Sequence, residues 1–110
     1  MTRMTRSWMR GAGPLAVLKL LDHREMYGYE LAEALDRQSG GVLALGHSTL
    51  YPLLYNLESK GLITQRATRV AQGRSRKYYG LTDDGRAWLR ENEAQWADLV
   101  AAMAKLGLEQ

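Results

Sequence analysis

One short β-type segment interrupts a chain whose other segments are helical in pattern, and this order restricts the folds open to it. Residues 62–70 and 76–81 are rich in β-branched residues and tyrosine, and the residues between them favour a turn. Three apolar stripes at helical spacing precede this segment and one follows it. The order helix, helix, helix, hairpin, helix is typical of a winged helix-turn-helix. We therefore predict one mainly α domain with a small β-hairpin and an added C-terminal helix.

Capping residues and glycines indicate where the helices begin and end. The predicted boundaries are Gly13-Pro14 for the start of the first helix, Tyr27 and Ser39 for the second, Ser48 and Gly61 for the third, and Thr82 and about Leu106 for the fourth. We expect residues 1–81 to form the winged helix-turn-helix, with residues 1–10 as a basic N-terminal arm. Residues 82–110 then form a C-terminal helix of the same globular unit.

Positive charge is concentrated in the hairpin segment, although the net charge of the chain is only +3. Residues 59–82 contain no Asp or Glu, and their cations are Lys60, Arg66, Arg69, Arg74, Arg76 and Lys77. The blocks on either side, 11–58 and 83–110, each hold three cations and six acids. An acid-free stretch of this kind is typical of a surface that binds a polyanion. The alternative is a basic hairpin without a ligand.

The cations of this segment differ in their place along the hairpin. The candidates for contacts with DNA phosphates lie near the tip and are Arg74, Arg76 and Lys77. Arg66 and Arg69 lie farther along the first strand and are expected to be solvated. Each cation that contacts a phosphate adds about 0.9 to the salt slope of log affinity, so binding through these residues would depend strongly on salt.

The exposed face of the third helix is uncharged and rich in hydrogen-bonding groups. Its buried stripe consists of Leu50, Leu53, Leu54 and Leu57. The opposite side carries Ser48, Pro52, Tyr55, Asn56 and Ser59, with Thr49 and Tyr51 on the flanks. Hydroxyl and amide groups at the start of a helix suit hydrogen bonds to phosphates and base edges, so we predict a recognition helix. The alternatives are an ordinary polar face and a Tyr55 ring that packs on the hairpin.

The final helix carries an apolar stripe that extends beyond the part a winged domain can cover. The stripe consists of Leu89, Trp96, Leu99, Met103 and Leu106, with one polar position at Asn92. Beyond residue 95 it would be exposed in a monomer, so we predict a homodimer through this helix, with a contribution from Trp8. For the start of the stripe, the alternative is packing on the same domain.

Trp96 has two interpretations. It either fills the dimer seam or forms the floor of a pore for a small aromatic or hydrophobic effector. In the second case Leu99 and Met103, one helical turn away, line the same cavity. Both interpretations predict that the side chain is buried in the dimer.

Several classes of function lack the residues they need. The chain has no cysteine, and its two histidines, His23 and His47, are far apart, so we expect no metal site and no cofactor. We expect no enzymatic activity, because there is no nucleophile beside a base and no Gly-rich phosphate loop. No apolar run is long enough for a membrane span and no signal-peptide pattern is present, so we expect a cytoplasmic protein. His47 is interpreted as a residue without a special role.

Several short motifs, in order, resemble those of one family of regulators. They are Tyr27-Gly28-Tyr29-Glu30-Leu31, Ser48-Thr49-Leu50-Tyr51-Pro52-Leu53-Leu54, Leu57-Glu58, Gly61-Leu62-Ile63, Arg74-Ser75-Arg76-Lys77-Tyr78-Tyr79 and Leu81-Thr82. On these motifs the chain resembles the PadR-family transcriptional regulators. The single final helix resembles the compact branch of that family.

The resemblance implies a homodimer that represses nearby genes from a roughly palindromic operator and releases it when an effector arrives. It also implies roles for single residues. Tyr29 matches the phosphate-facing start of helix two, and Trp96 matches a pore-facing aromatic of the multidrug-binding branch. The start of the recognition helix is matched by Thr49, Tyr51 and Pro52, and the basic wing by Arg76 and Lys77.

The chain also departs from the family pattern at three places. Ala67 stands where the multidrug-binding branch tends to have a second tryptophan, which argues against a ligand held between two indoles. Many relatives have a proline where this chain has Glu25-Met26, and a glycine where it has Ser48. Neither of these two differences changes the predicted fold.

The sequence thus predicts a sequence-specific DNA-binding transcriptional regulator, a dimeric repressor that a small-molecule effector releases from its operator. The predicted DNA-binding residues are Tyr29, Ser48, Thr49, Tyr51, Pro52, Tyr55, Asn56, Arg74, Arg76 and Lys77. The alternative is a winged-helix module that binds another protein without specific DNA binding. The acid-free hairpin argues against that alternative.

Overall fold

The computed structural model describes residues 4–108 and has four helices and one antiparallel hairpin in the predicted order. The elements are α1 (Arg6–His23), α2 (Gly28–Gln38), α3 (His47–Ser59), β1 (Ile63–Ala71), β2 (Arg74–Leu81) and α4 (Asp83–Lys105). The winged helix-turn-helix with a long added helix is therefore confirmed. Within the described part of the chain, no helix is both long enough and apolar enough to span a bilayer.

The start of α1 differs from the prediction. The helix begins at Arg6 and continues through Pro14, so the predicted start at Gly13-Pro14 was wrong. Gly13 has no Cβ to clash with the proline ring, which relieves the usual restriction on the residue before a proline. Met9 is buried and packs the earlier turns onto the domain.

This longer helix takes in part of the predicted N-terminal arm. Arg6 and Arg10 are exposed residues of α1. They are thus placed by a helix rather than by an extended segment. Arg3, the third cation of the predicted arm, lies outside the described residues.

The core lies where the first three helices meet the base of the hairpin and the start of α4. Its fully buried large side chains are Val17, Leu18, Leu31, Leu50, Leu54, Leu57, Ile63 and Leu89. Burying one such side chain stabilises the fold by about 2 kcal/mol. Leu53 of the predicted stripe is only half-buried and packs at the edge of this core.

The ends of α3 are set by two glycines. The Gly46 carbonyl accepts hydrogen bonds from the amides of Thr49 and Leu50 at 3.0 and 2.9 Å, so Gly46 is the N-cap and the prediction of Ser48 was wrong. At the other end Gly61 has a φ of +75°, in the left-handed region that stops a helix, as predicted.

The hairpin closes through a two-residue turn. Gln72 and Gly73 have φ values of +53° and +75°, the signs required for a type I′ turn that suits the twist of paired strands. Nearer the domain, the register shifts between Gln65 and Ala67, which leaves Arg66 in a bulge.

Arg66 is held against the sheet by this bulge. Its side chain crosses Gly80, where an added Cβ would lie 2.8 Å from the Arg66 Cγ. Its guanidinium donates a hydrogen bond to the Leu81 carbonyl. Arg66 is exposed, as expected, and the bulge also turns its side chain back along the strands, where the guanidinium is hydrogen-bonded to the backbone.

Two backbone junctions orient the helices against the hairpin. Before α2, the amide and carbonyl of Met26 exchange hydrogen bonds with those of Tyr79, at 3.2 and 2.9 Å. Before α4, the Thr82 hydroxyl accepts from the Gly85 amide at 2.9 Å, which confirms the predicted cap, and donates to the Gly61 carbonyl at 2.6 Å. Each junction ties a helix N-terminus to one side of the hairpin.

Candidate nucleic-acid interface

A groove of about 660 Å³ opens between the start of α2, the exposed side of α3 and the outer part of β2. It brings together six of the ten predicted DNA-binding residues, namely Tyr29, Tyr51, Tyr55, Arg74, Arg76 and Lys77. These residues come from three separate parts of the chain. We call this concavity the wing groove.

Close packing of α3 on the start of α2 forms one wall of the wing groove. An added Cβ at Gly28 would lie 2.8 Å from the Tyr51 hydroxyl oxygen and 3.1 Å from the ring, so the Tyr51 side chain lies directly on the backbone of Gly28. The glycine in the Tyr-Gly-Tyr-Glu motif is required for this approach. On the other side of Tyr51, the His47 ring lies 5.5 Å away and nearly parallel to it, at 17°.

His47 is a residue of this wall that the sequence analysis missed. It is the first residue of α3, and it shares the edge that faces the wing with Tyr51 and Tyr55. The spacing of four residues between these three side chains was the available signal. The prediction treated His47 as a residue before the helix, because Ser48 was taken as the cap.

The exposed part of α3 has a second edge that does not line the wing groove. This edge carries Ser48, Pro52 and Asn56, which are all exposed, whereas Thr49 is half-buried. The predicted recognition residues are therefore divided between a wing-facing edge of rings and an outer edge of smaller groups.

The cations of the hairpin are placed by aromatic rings. The Arg76 guanidinium carbon lies 4.6 Å from the centre of the Tyr27 ring, and that of Arg69 lies 4.2 Å from the Tyr78 ring. A nitrogen of Arg69 also lies 3.7 Å from a carboxylate oxygen of Glu25. Arg69 is thus exposed to solvent, as expected, and its guanidinium is also stacked on a ring and paired with a carboxylate.

The wing groove is electropositive. Within residues 4–108, its lining includes Arg74, Arg76 and Lys77 and no carboxylate. The N-terminus of α2, which is the positive end of its helix dipole, also lies at this groove. The surface is therefore suited to phosphates.

Tyr79 closes the floor of the groove. Burial raises the pKa of its hydroxyl, and the nearby charge of Glu58 raises it further. Tyr79 therefore stays neutral at physiological pH. A tyrosinate would have reduced the positive potential of the floor.

The predicted dimer surface lies on α4, away from the wing groove. Trp96 and Leu99 are 52% and 46% exposed, and Met103 and Leu106 are exposed as well. Trp8 on α1 is 69% exposed. Leu89 is the exception, because it is fully buried in the core of its own domain and has no surface left for a partner. The assignment of Leu89 to the seam was wrong.

The residues of the predicted effector pore, Trp96, Leu99 and Met103, are exposed in the single chain. Neither the wing groove nor a smaller concavity between α2 and the loop before α3 contains a residue of α4. Any cavity built from these three side chains would need another element to close it.

Comparisons with known proteins agree with this architecture. Residues 17–91 match the model of the transcriptional regulator PadR-like family. The chain is 35% identical to the transcriptional regulator Rv3488 of Mycobacterium tuberculosis over 95 residues, which cover 86% of this chain and 85% of that protein. It is 34% identical to the negative transcriptional regulator PadR of Bacillus subtilis over 76 residues, which cover 69% of this chain and 42% of that protein.

A solved structure supports the same assignment. The crystal structure of a PadR family transcriptional regulator from Eggerthella lenta matches with a TM-score of 0.78 and 37% identity, covering 91% of this chain and 85% of that one. The chain therefore belongs to the PadR-like family of transcriptional regulators, which act by binding DNA and not as enzymes.

Proposed function

We propose that this regulator is a repressor that binds a roughly palindromic operator as a homodimer and leaves it when a small-molecule effector binds. The observation that carries the proposal is the wing groove, in which rings of α2 and α3 face cations of β2. Cations and tyrosine hydroxyl groups in the groove suit the phosphates of a ligand whose base edges are reached by the outer edge of α3. Duplex DNA is such a ligand.

The two edges of α3 suggest how the duplex is engaged. The outer edge, with Ser48, Pro52 and Asn56, is exposed and offers hydroxyl, apolar and amide groups to base edges in the major groove. In this arrangement the wing-facing edge of α3 and Tyr29 lie beside the sugar–phosphate backbone. Arg74, Arg76 and Lys77 then neutralise phosphates of the adjoining backbone.

The exposed stripe of α4 supports the homodimer. Trp96, Leu99, Met103 and Leu106 form an apolar surface that would be costly to leave in water. A second copy of the chain, joined through this stripe and Trp8, would cover it. Twofold symmetry would place the two α3 helices about 34 Å apart, one turn of DNA.

Repression is supported by a relative, and the effector by the side chains of α4. The relative from Bacillus subtilis is a negative regulator, which supports repression. Trp96, Leu99 and Met103 on the dimer surface would line a cavity between two copies, and a cavity there suits a small aromatic or hydrophobic effector. A regulator of this kind works in the cytoplasm, where the operator lies.

The test is fluorescence anisotropy of the purified protein against duplex DNA from upstream of its own gene. A scrambled duplex of the same length is the control, and both are measured over a salt series. We expect specific binding to exceed non-specific binding by at least about 10³ at physiological salt. Equal, weak and steeply salt-dependent binding to both duplexes would contradict a sequence-specific operator at that site.

The effector is tested with the same complex. Candidate aromatic compounds are added to the protein–DNA complex, and release of the duplex is read by anisotropy while tryptophan emission is recorded. A compound that acts at the proposed cavity should quench the tryptophan emission of the natural chain. It should quench the emission of a Trp96→Phe variant less, because the emission of that variant comes from Trp8 and Trp88 alone. Quenching that is unchanged in the variant would place the compound elsewhere.

A further inference from the structure

Two arginines of the wing lie directly opposite each other across the hairpin. Arg69 pairs with Arg76 in the strand register. Residues that are directly opposed share a face, with Cβ atoms about 5 Å apart, and like charges in that position destabilise a hairpin. Something must therefore separate the two guanidinium groups.

The structure separates them with two tyrosine rings. Arg69 stacks on Tyr78 at 4.2 Å, and Arg76 stacks on Tyr27 at 4.6 Å. The two rings lie 5.3 Å apart and are inclined at 60°. The contacts thus run from Arg69 to Tyr78, from Tyr78 to Tyr27 and from Tyr27 to Arg76. A cation over an aromatic face is electrostatically favourable.

The Tyr27 ring can hold Arg76 in place because the backbone of Tyr27 is fixed by hydrogen bonds. Tyr27 is the N-cap of α2, and its amide donates to a carboxylate oxygen of Glu30 at 3.2 Å. The residue before it, Met26, is hydrogen-bonded in both directions to Tyr79 of the wing. The ring is thus anchored to α2 and to β2 at once.

The two arginines also differ in their acidic partners. Arg69 has Glu25 at 3.7 Å, whereas Arg76 has no carboxylate within 4 Å in the part of the chain that the structure describes. Arg76 lines the wing groove and Arg69 does not. The uncompensated cation of the pair is therefore the one that faces the groove.

We infer that Tyr27 is a positioning residue for DNA binding, whose ring holds the Arg76 guanidinium at the wing groove and away from Arg69. A guanidinium that stacks through its face keeps the N–H groups at its edge available for a phosphate. Tyr27 acts through Arg76 and needs no contact with DNA. This role rests on the proposed function, since its readout is operator affinity.

The test compares variants that keep or remove the ring. Tyr27→Leu keeps the net charge but removes the aromatic face, and we expect operator affinity to fall about fivefold. Tyr27→Phe keeps the face and should restore the affinity. In an Arg76→Ala background, Tyr27→Leu should cause no further loss, because the cation that it positions is gone.

A matched pair of charge deletions completes the test. Arg69→Ala and Arg76→Ala remove the same charge from opposite positions of the hairpin, and we expect the Arg76 variant to lose more affinity. If Tyr27→Leu does not fold by circular dichroism, Arg76→Lys is used instead. It keeps the charge without the planar group and should also weaken binding about fivefold.

The outcomes separate this role from the proposed function. If the natural chain does not prefer the operator over scrambled DNA, the proposed function fails. If the natural chain does prefer it, three results overturn the role of Tyr27. The first is an unchanged operator affinity in a folded Tyr27→Leu variant. The second is a double variant, Tyr27→Leu with Arg76→Ala, whose loss of affinity equals the product of the two single losses. The third is an unchanged operator affinity in Arg76→Lys.

Discussion

The wing groove and the second half of α4 differ in how far a single chain completes them. In the wing groove, Tyr51 packs on Gly28 and Arg76 stacks on Tyr27, so its side chains are held by neighbours from other elements. On α4 beyond residue 95, Trp96 and Leu99 are large apolar side chains left half in water. The first surface is organised before its ligand arrives, whereas the second would gain from being covered.

The difference follows from how well water solvates each surface when no partner covers it. A cationic, hydroxyl-rich surface is well solvated by itself, so the domain can present it permanently at little cost in stability. An apolar stripe loses free energy in water in proportion to its area, which favours association.

The boundary between the two halves of α4 can be tested with two leucines. Leu89→Ala removes a side chain that is fully buried within its own domain, and we expect a loss of about 3 kcal/mol in the free energy of unfolding. Leu99→Ala changes a side chain that is 46% exposed, and we expect it to weaken self-association more than domain stability. Urea unfolding at several protein concentrations distinguishes the two effects. Equal losses at every concentration would mean that both leucines pack on the same domain.

The junction between hairpin and α4 is tested at Gly85. An added Cβ there would overlap the Leu62 carbonyl oxygen, a backbone atom that cannot turn away. We expect Gly85→Ala to cost about 2 kcal/mol in the free energy of unfolding.

Gly11 supplies the matched control for this substitution. It lies in α1, where an added Cβ has no neighbour within 4 Å. Gly11→Ala should therefore stabilise the chain by about 0.5 kcal/mol through helix propensity alone. A similar effect of both substitutions on the thermal midpoint would refute the close contact at Gly85.

The wing groove is tested by removing charge. Replacing Arg76 and Lys77 together with alanine should weaken operator binding about tenfold or more and lower the salt slope of log affinity by about 2 per subunit. The proposed dimer should be unaffected in sedimentation experiments, because neither residue lies on α4. An unchanged salt slope would show that these cations do not contact phosphates.

The smallest effect is expected where α4 meets α1. Glu93 accepts from Lys19 at 2.6 Å and from Arg90 at 3.0 Å, and the Lys19 hydrogen bond contributes most to holding the pKa of Glu93 below its ordinary value of 4.5. A carboxyl whose pKa is lowered by folding stabilises the chain above its unfolded pKa. That contribution is lost as the pH falls through the folded pKa.

Thermal midpoints measure this dependence. Between pH 7 and pH values below about 4, the natural chain should lose slightly more stability than Glu93→Gln, which cannot titrate. Because the pair is exposed, the difference should be small. An identical pH dependence in both chains would show that the ion pair contributes nothing measurable.

Much of the fold could be predicted from local pattern, and the failures have local causes. The order of elements, the Thr82 cap and the Gly61 stop follow from periodicity and capping chemistry, which involve residues close in sequence. The start of α1 was misplaced because Pro14 is usually a first-turn residue, whereas the burial of Met9 extends this helix.

The sequence by itself determined which parts of this protein are helical, where the hairpin lies and where its positive charge is concentrated. Only the tertiary structure decided how those parts meet. It placed His47 at the wing groove and buried Leu89 in its own domain. It also placed Arg76, but not Arg69, at the groove. The reason is physical: helical periodicity and capping depend on neighbours within a few residues, whereas stacking, burial and ion pairing depend on residues that the fold brings together from distant positions.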